Sequence, residues 1–267
     1  MHTRPVSEIR VNGVSLYYEE HGNGEPILCL HGAGSSAAVW SDAVAELATR
    51  GRTIAYDRRG YSRSERPEPY ATSVHEQADD AAALIDALAT APAIVIGRSY
   101  GGAVAIDLAL RYPDRARALA LLEADAPSFS ETATRWIADV TEEVLAAAER
   151  DMDTVGEAVI HAVAGPGAWE GLPESMQETL TGNGPAIVAE VRGGYPDLSE
   201  GQLATIDQPT LLVAARESLQ AGFDEVTSAM AAAMPSATVE WVEGGHLVDP
   251  AHPVVLAFVD EVLAAPS

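Results

Sequence analysis

Residues 97–102, Gly97-Arg98-Ser99-Tyr100-Gly101-Gly102, set a serine between glycines. The apolar, β-branched run Ala93-Ile94-Val95-Ile96 leads in, and an alanine-rich helical pattern from Ala103 to Leu110 leads out. Strand, Gly-x-Ser-x-Gly, then helix is the context that gives this short pattern a chemical meaning. Small neighbours let the serine take a sharp, strained turn that lifts its hydroxyl above the sheet edge. The first N–H groups of the following helix then point at the same spot, where negative charge developing on an oxygen is stabilised. A neutral serine is a poor nucleophile; it needs a base within hydrogen-bond reach, and the base needs an orienting acid.

Of the seven histidines, His246 suits the base. It sits on the glycine turn Glu243-Gly244-Gly245-His246, directly after a strand pattern, near the carboxyl edge where such sheets place ligands. His252 opens the last helical pattern and suits a capping or surface role, while His2, His75 and His161 have no supporting context. Arg98, just before the serine, could anchor an anionic group of a substrate; the plainer alternative is a structural ion pair beneath the turn.

The elements that must hold these residues follow from patterning. Val6–Val11 and Val14–Tyr18 alternate about Asn12-Gly13, which predicts a hairpin. Ile27–Leu30 is a continuous apolar run, as expected of a strand buried on both faces, and it ends in His31-Gly32-Ala33-Gly34. A helical pattern runs through Trp40, Val44 and Leu47, and the strand Thr53–Tyr56 is followed by the loop Asp57-Arg58-Arg59-Gly60-Tyr61-Ser62-Arg63-Ser64. A helix spans about Val74 to Leu88, and the strand after the serine helix, Ala118–Leu122, ends Glu123-Ala124-Asp125. From residue 127 to 206 strand patterns vanish. Helical stretches at Glu131–Arg150, Thr154–Val163 and Glu174–Leu180, with a weaker one at Ile187–Val191, are separated by Gly/Pro clusters. This segment reads as a helical cap too short and broken to form its own core. The strand Pro209–Ala214, a helix from Phe223 to Met234, the strand Thr238–Val242 and a helix at Val254–Leu263 complete the pattern. Alternation of strand and helix predicts an α/β fold: a core of residues 1–126 and 207–267 around a mostly parallel sheet, with the cap inserted at 127–206.

The totals narrow the classes. The formal charge of −24, with 40 acidic and 16 basic residues, disfavours nucleic acid and anionic membranes as partners. No segment approaches a membrane span, and the polar start Met1-His2-Thr3-Arg4-Pro5 lacks the apolar stretch of a signal peptide, so a cytoplasmic, soluble protein is expected. The single cysteine, Cys29, lies in an apolar run; it excludes an internal disulfide and suits a core position. No metal or organic cofactor is expected: His31 has no ligand-spaced partner, and the glycines at 97, 101 and 102 make no dinucleotide fingerprint.

His31-Gly32-Ala33-Gly34, the Asp57–Ser64 loop, the serine turn and Gly244-Gly245-His246 occur in the order of the α/β-hydrolase superfamily, which the chain resembles over nearly all its length. The resemblance implies an eight-stranded sheet with a helical cap, Ser99 attacking a carbonyl while His246 takes its proton, and an oxyanion hole from the N–H groups of Ala33 and Tyr100. The Asp57–Ser64 loop would be scaffold. Most relatives carry the third residue, an aspartate, after the seventh strand; here Ala215-Arg216-Glu217-Ser218 follows that strand. Some relatives, including certain dehalogenases and lactonases, place the acid after the sixth strand. Glu123 terminates that strand and is the expected acid, with Glu217 and Asp125 as alternatives. The plainer role for Glu123 is a pair with Arg98 or Arg58. Serine rather than aspartate at residue 99 implies acyl transfer. The expected function is therefore hydrolysis of a moderately apolar carboxylic ester or lactone through an acyl-enzyme. A lyase or C–C bond hydrolase with the same triad, or a non-catalytic ligand-binding member of the fold, remains open. In the cap, Trp136, Trp169 and Tyr195 are candidates to line the substrate pocket.

Overall fold

The computed structural model describes residues 7–265. The expectations placed on Val6, on the polar residues 1–5 and on His2 lie outside the described residues. At Asn12 and Gly13 the chain turns through two left-handed residues, with φ of 45° and 78°, the pair a two-residue hairpin requires. The turn joins β1 (Ser7–Val11) to β2 (Val14–His21), with Val11 facing Val14. The later strands are β3 (Pro26–Leu30), β4 (Arg52–Tyr56), β5 (Ala93–Arg98), β6 (Ala116–Leu122), β7 (Thr210–Ala215) and β8 (Ala237–Val242). β2 runs antiparallel to β4, and the pairings from β4 to β8 are parallel. Among the described residues they form one eight-stranded sheet in the order β1-β2-β4-β3-β5-β6-β7-β8.

The apolar runs of the central strands are explained by helices on both faces. Leu28 and Leu30 of β3 and Val95 of β5 point into one core layer, while Ile27, Cys29, Ile94 and Ile96 point into the other. The two-residue alternation of side chains requires both layers to be apolar. The first layer is closed by α2 (Val74–Ala87) and α3 (Tyr100–Arg111), with α9 (Phe223–Ala233) beside them; α1 (Ser41–Leu47) and α10 (Pro253–Ala264) close the second. Trp40 ends a 3-10 turn, Ala37–Trp40, and α1 begins at Ser41, so the pattern read as one helix is two pieces. Cys29 is a buried free thiol in the second layer. His252 caps α10, its Nδ1 accepting from the Val254 N–H at 3.3 Å.

Between β6 and β7 lie α4 (Glu131–Arg150), α5 (Val155–Ala164), α6 (Glu174–Gly182), α7 (Gly184–Gly193) and the single turn α8 (Glu200–Leu203). Ser130 starts α4 by accepting from the Ala133 N–H at 3.0 Å. The weak pattern at 187–191 is a full helix, α7. Pro185 sits in its first turn, where a missing N–H costs nothing, and Gly194 ends it at φ 64°. The same Gly and Pro residues make the stretch look like a loop in the sequence. These helices do share a small apolar cluster of Val144, Ala147, Val155 and Ile187, but it is completed by Tyr61 from the loop after β4. Among the described residues no helix is long and apolar enough to cross a membrane.

Candidate active site

The carboxyl ends of β5, β6 and β8 carry Ser99, Glu123 and His246 to one side of the sheet. Ser99 has φ 54° and ψ −125°, a strained backbone for a residue with a side chain. The flanking glycines permit it. A Cβ on Gly101 would lie 2.3 Å from the Leu30 carbonyl oxygen, and one on Gly97 would lie 2.5 Å from that of Gly101. Tyr100 is the first residue of α3, so its N–H has no acceptor within the helix. Ala33 stands across from it in the loop after β3, and both line the cavity that contains Ser99.

That loop is held by the Asp57–Ser64 segment. The Arg58 guanidinium donates to the carbonyl of His31 at 2.8 Å and to that of Gly32 at 3.1 Å, and the Arg58 N–H donates to His31 Nε2 at 3.0 Å. Burial and the nearby Arg58 charge push the His31 pKa well down, which keeps Nε2 an acceptor. Asp57 accepts from the Ala37 N–H and from Arg63. These contacts are scaffold.

Glu123 is 2 % exposed, His246 4 %. Glu123 has φ 47°, and its Oε1 accepts from the Ala215 N–H at 2.7 Å. Its Oε2 lies 3.4 Å from His246 Nδ1. Arg58 instead pairs with Glu190, and Arg98 donates to the Val248 carbonyl at 3.2 Å. A proton on Nδ1 directed at the carboxylate leaves Nε2 as the lone-pair nitrogen, and there the Gln220 amide lies at 3.2 Å. Ser99 Oγ donates to Asp125 Oδ2 at 3.4 Å. In this arrangement serine and histidine each hold another partner, a pattern common before substrate arrives.

Asp125 therefore lies beside Ser99 rather than behind His246. Its Oδ2 also accepts from the Tyr195 hydroxyl at 2.7 Å. Burial pushes the Asp125 carboxyl up to about 6, and the Tyr195 phenol is raised well above its ordinary value, so Tyr195 stays the donor. Glu217 is exposed; its N–H donates to the Gly244 carbonyl, and it is not hydrogen-bonded to His246. Arg98 is buried against the Trp40 ring, 5.6 Å from its centroid, and burial lowers its pKa to about 10, which leaves it charged at neutral pH. Its bond to Val248 braces the loop that carries His246, and its side chain also borders the cavity.

The cavity over Ser99 is walled mainly by the apolar residues Trp136, Val140, Ile160, Ile187 and Val191. Trp136 packs on Phe223 with ring centroids 5.6 Å apart, and Phe223 packs on the His246 ring at 6.4 Å. Trp169 does not join them. It lies in the turn after α5, where its carbonyl accepts from the Gln177 side chain, and it is absent from the cavity wall. Gln220 and Glu190, both in the wall, were not found from sequence. Gln220 lies in an irregular loop after β7, and Glu190 is on the helix whose ends mimic a loop. Among the described residues Glu157, His161 and Glu170 bring possible metal ligands within 4.8 Å of one another, but none of the three lines this cavity.

A family model described as alpha/beta hydrolase fold matches residues 25–248. Over 128 residues the chain is 34% identical to a 2-hydroxymuconate semialdehyde hydrolase of a Pseudomonas sp., covering 47% of this chain and 45% of that one. Over 115 residues it is 34% identical to a 2-(acetamidomethylene)succinate hydrolase of Mesorhizobium japonicum, covering 43% and 41%. The matches to these curated relatives thus span less than half of their length. Among solved structures, an esterase from Thermogutta terrifontis superposes with a TM-score of 0.79 at 23% identity, covering 99% of this chain and 100% of that one. An enol-lactonase from Burkholderia xenovorans gives 0.75 at 23%, covering 96% and 98%. By the extent of the family match and the strand order that carries the site, the chain belongs to the alpha/beta hydrolase fold family.

Proposed function

We propose that the protein is a cofactor-independent serine hydrolase acting on moderately apolar carboxylic esters or lactones. The observation that carries this reading is the approach of Glu123 to His246 Nδ1, made from a separate strand end, beside a strained serine turn. Ser99 Oγ attacks the carbonyl carbon and its proton passes to His246 Nε2, which must first leave the Gln220 amide. The carbonyl oxygen becomes an oxyanion held by the Ala33 and Tyr100 N–H groups. As the C–O bond to the leaving group breaks, His246 returns the proton to that oxygen, and an acyl-enzyme remains. Water, deprotonated by His246, attacks the acyl carbon and releases the carboxylic acid and Ser99. Glu123 keeps the imidazole in the required tautomer and balances its transient positive charge.

The mainly apolar cavity wall supports the substrate class, as does the chain's similarity to hydrolases, an esterase and an enol-lactonase. A small neutral substrate in the cavity over Ser99 also fits a chain of strongly negative charge. The test is covalent labelling with a fluorophosphonate, read by peptide mass, together with turnover of a chromogenic short-chain ester. An adduct on Ser99 and turnover that is lost in Ser99→Ala support the reading. A protein that neither labels nor turns over any ester is a ligand-binding member of the fold.

A further inference from the structure

Of the polar groups that border the cavity over Ser99, Asp125 is the one hydrogen-bonded to the serine itself, and the hydrolytic steps leave it unused. Asp125 has only 4 % of its surface exposed and borders the cavity. Its Oδ2 is fixed by the Tyr195 hydroxyl at 2.7 Å and by Ser99 Oγ at 3.4 Å, while its Oδ1 is buried with no hydrogen-bond partner. A buried carboxylate oxygen left without a donor is costly, and such groups in folded proteins ordinarily meet a partner. Polar residues such as Gln220 and Glu190 also line the wall, but none of them hydrogen-bonds Oδ1. Tyr195 itself is held, its ring 5.4 Å from that of Tyr100, so the carboxyl group is aimed rather than free to swing.

We propose that Asp125 is a substrate-binding residue whose Oδ1 accepts a hydrogen bond from a hydroxyl or amide N–H carried one or two carbons from the scissile carbonyl. The distance sets that position. A carbonyl carbon within bonding approach of Ser99 Oγ lies one hydrogen-bond length plus about two covalent bonds from the Asp125 carboxyl group. The preferred substrate is then an apolar ester or lactone with a donor on the α or β carbon, not a plain aliphatic ester. A site that hydrogen-bonds a substrate hydroxyl rejects the analogue lacking it more strongly than an apolar pocket sorts by size. The elevated carboxyl pKa, caused by burial, agrees with a group that lacks a solvating partner until substrate arrives.

The inference rests on the hydrolase reading, and the experiment separates the two. The 4-nitrophenyl esters of 2-hydroxy-, 3-hydroxy-, 2-methoxy-, 3-methoxy- and unsubstituted hexanoic acid are compared by kcat/KM, each corrected for its rate with hydroxide. The wild-type protein is expected to favour one hydroxy ester over both its methoxy and its unsubstituted counterparts by about tenfold to a hundredfold. In Asp125→Ala the ratio is expected to fall to within about twofold of unity, and in Tyr195→Phe to an intermediate value; ratios are read within one protein, so a loss of overall rate does not enter. A wild-type protein that turns over all five esters without preference overturns the role of Asp125 and leaves the hydrolase reading standing. A preference that survives in Asp125→Ala also overturns it. Failure to turn over any ester, with no phosphonate adduct on Ser99, defeats the hydrolase reading and this one with it.

Discussion

Ser99, Glu123 and His246 stand on the ends of β5, β6 and β8, whereas Trp136, Glu190 and Tyr195 reach the same cavity from the helical insertion. The first group is placed by a ladder. Arg98 is in register with Leu122, Leu122 with Val213, and Ala215 with Val242, so the residues that follow each strand emerge side by side. A slip of one residue would turn every core side chain to the opposite face, so this register is strongly specified. The second group is held by side-chain packing, Trp136 on Phe223 among it, and by a few buried polar ties. Glu190 pairs with Arg58; the Asn183 side chain donates to the Gly34 and Ser35 carbonyls at 3.0 and 3.1 Å; Tyr195 donates to Asp125. The groups proposed to react thus sit on the part fixed by strand register, and the walls that would choose a substrate sit on a part whose seating rests on side-chain contacts.

The largest effects are expected from the strand-end group. Ser99→Ala should lower kcat at least about a thousandfold with little change in the urea midpoint, because the serine hydroxyl is partly exposed and its partner Asp125 keeps Tyr195. Glu123→Gln should lower kcat by about a thousandfold or more, since the amide can present a donor to Nδ1 and favour the wrong tautomer. Glu217→Gln, at an exposed position, should leave kcat within about twofold. The three are compared in one steady-state assay with a chromogenic ester. If Glu217→Gln proved the damaging change and Glu123→Gln the mild one, the acid would belong to the loop after β7.

On the helical side the largest effect is expected from the buried pair. Glu190→Gln leaves the Arg58 guanidinium, wholly buried, without its charge partner, and removing one member of such a pair costs about 3–5 kcal/mol. Urea unfolding followed by far-UV circular dichroism should show the lower midpoint. Arg58 also holds the His31 and Gly32 carbonyls, so kcat should fall together with stability. A variant with an unchanged midpoint would mean that the cap is seated by its apolar cluster alone.

The same division explains what could be read from the chain. Runs such as Ile27–Leu30 and Ala93–Ile96 announce a doubly covered sheet because both alternating faces must be apolar, and Ser99 and His246 lie on glycine turns directly after such runs. Glu123, which the structure brings to His246, likewise stands directly after such a run, at the end of β6. The cap offered no such anchor. Pro185 and Gly194 bound α7 yet look like loop residues, and Trp169, an aromatic in the expected segment, is absent from the cavity wall that Trp136 and Tyr195 join. Nothing in local pattern tells which of two aromatics on neighbouring elements turns inward. That depends on the packing of whole helices, as does the meeting of Glu190 with Arg58 across 132 residues of chain.

Asp125 belongs to both halves, standing on a strand end but bonded to a cap tyrosine, and its titration offers a measure of how dry their junction is. Burial raises its folded-state pKa to about 6, against about 4 for an unfolded aspartate. Below about pH 4 the carboxyl is protonated in both states and contributes no difference. As pH rises through 4 to 6 the unfolded chain loses the proton first, so the folded protein loses stability relative to it, by up to about 2–3 kcal/mol above pH 7. Asp125→Asn keeps an acceptor for Tyr195 and cannot ionise. It should therefore gain stability on the wild-type protein between pH 4 and pH 7 by about that amount, with a constant difference on either side of the window. Urea midpoints at pH 4, 5.5 and 7.5 read the effect. A difference that does not change with pH would mean that water reaches Asp125 at the junction of core and cap, and that the carboxylate is solvated there as in the unfolded chain.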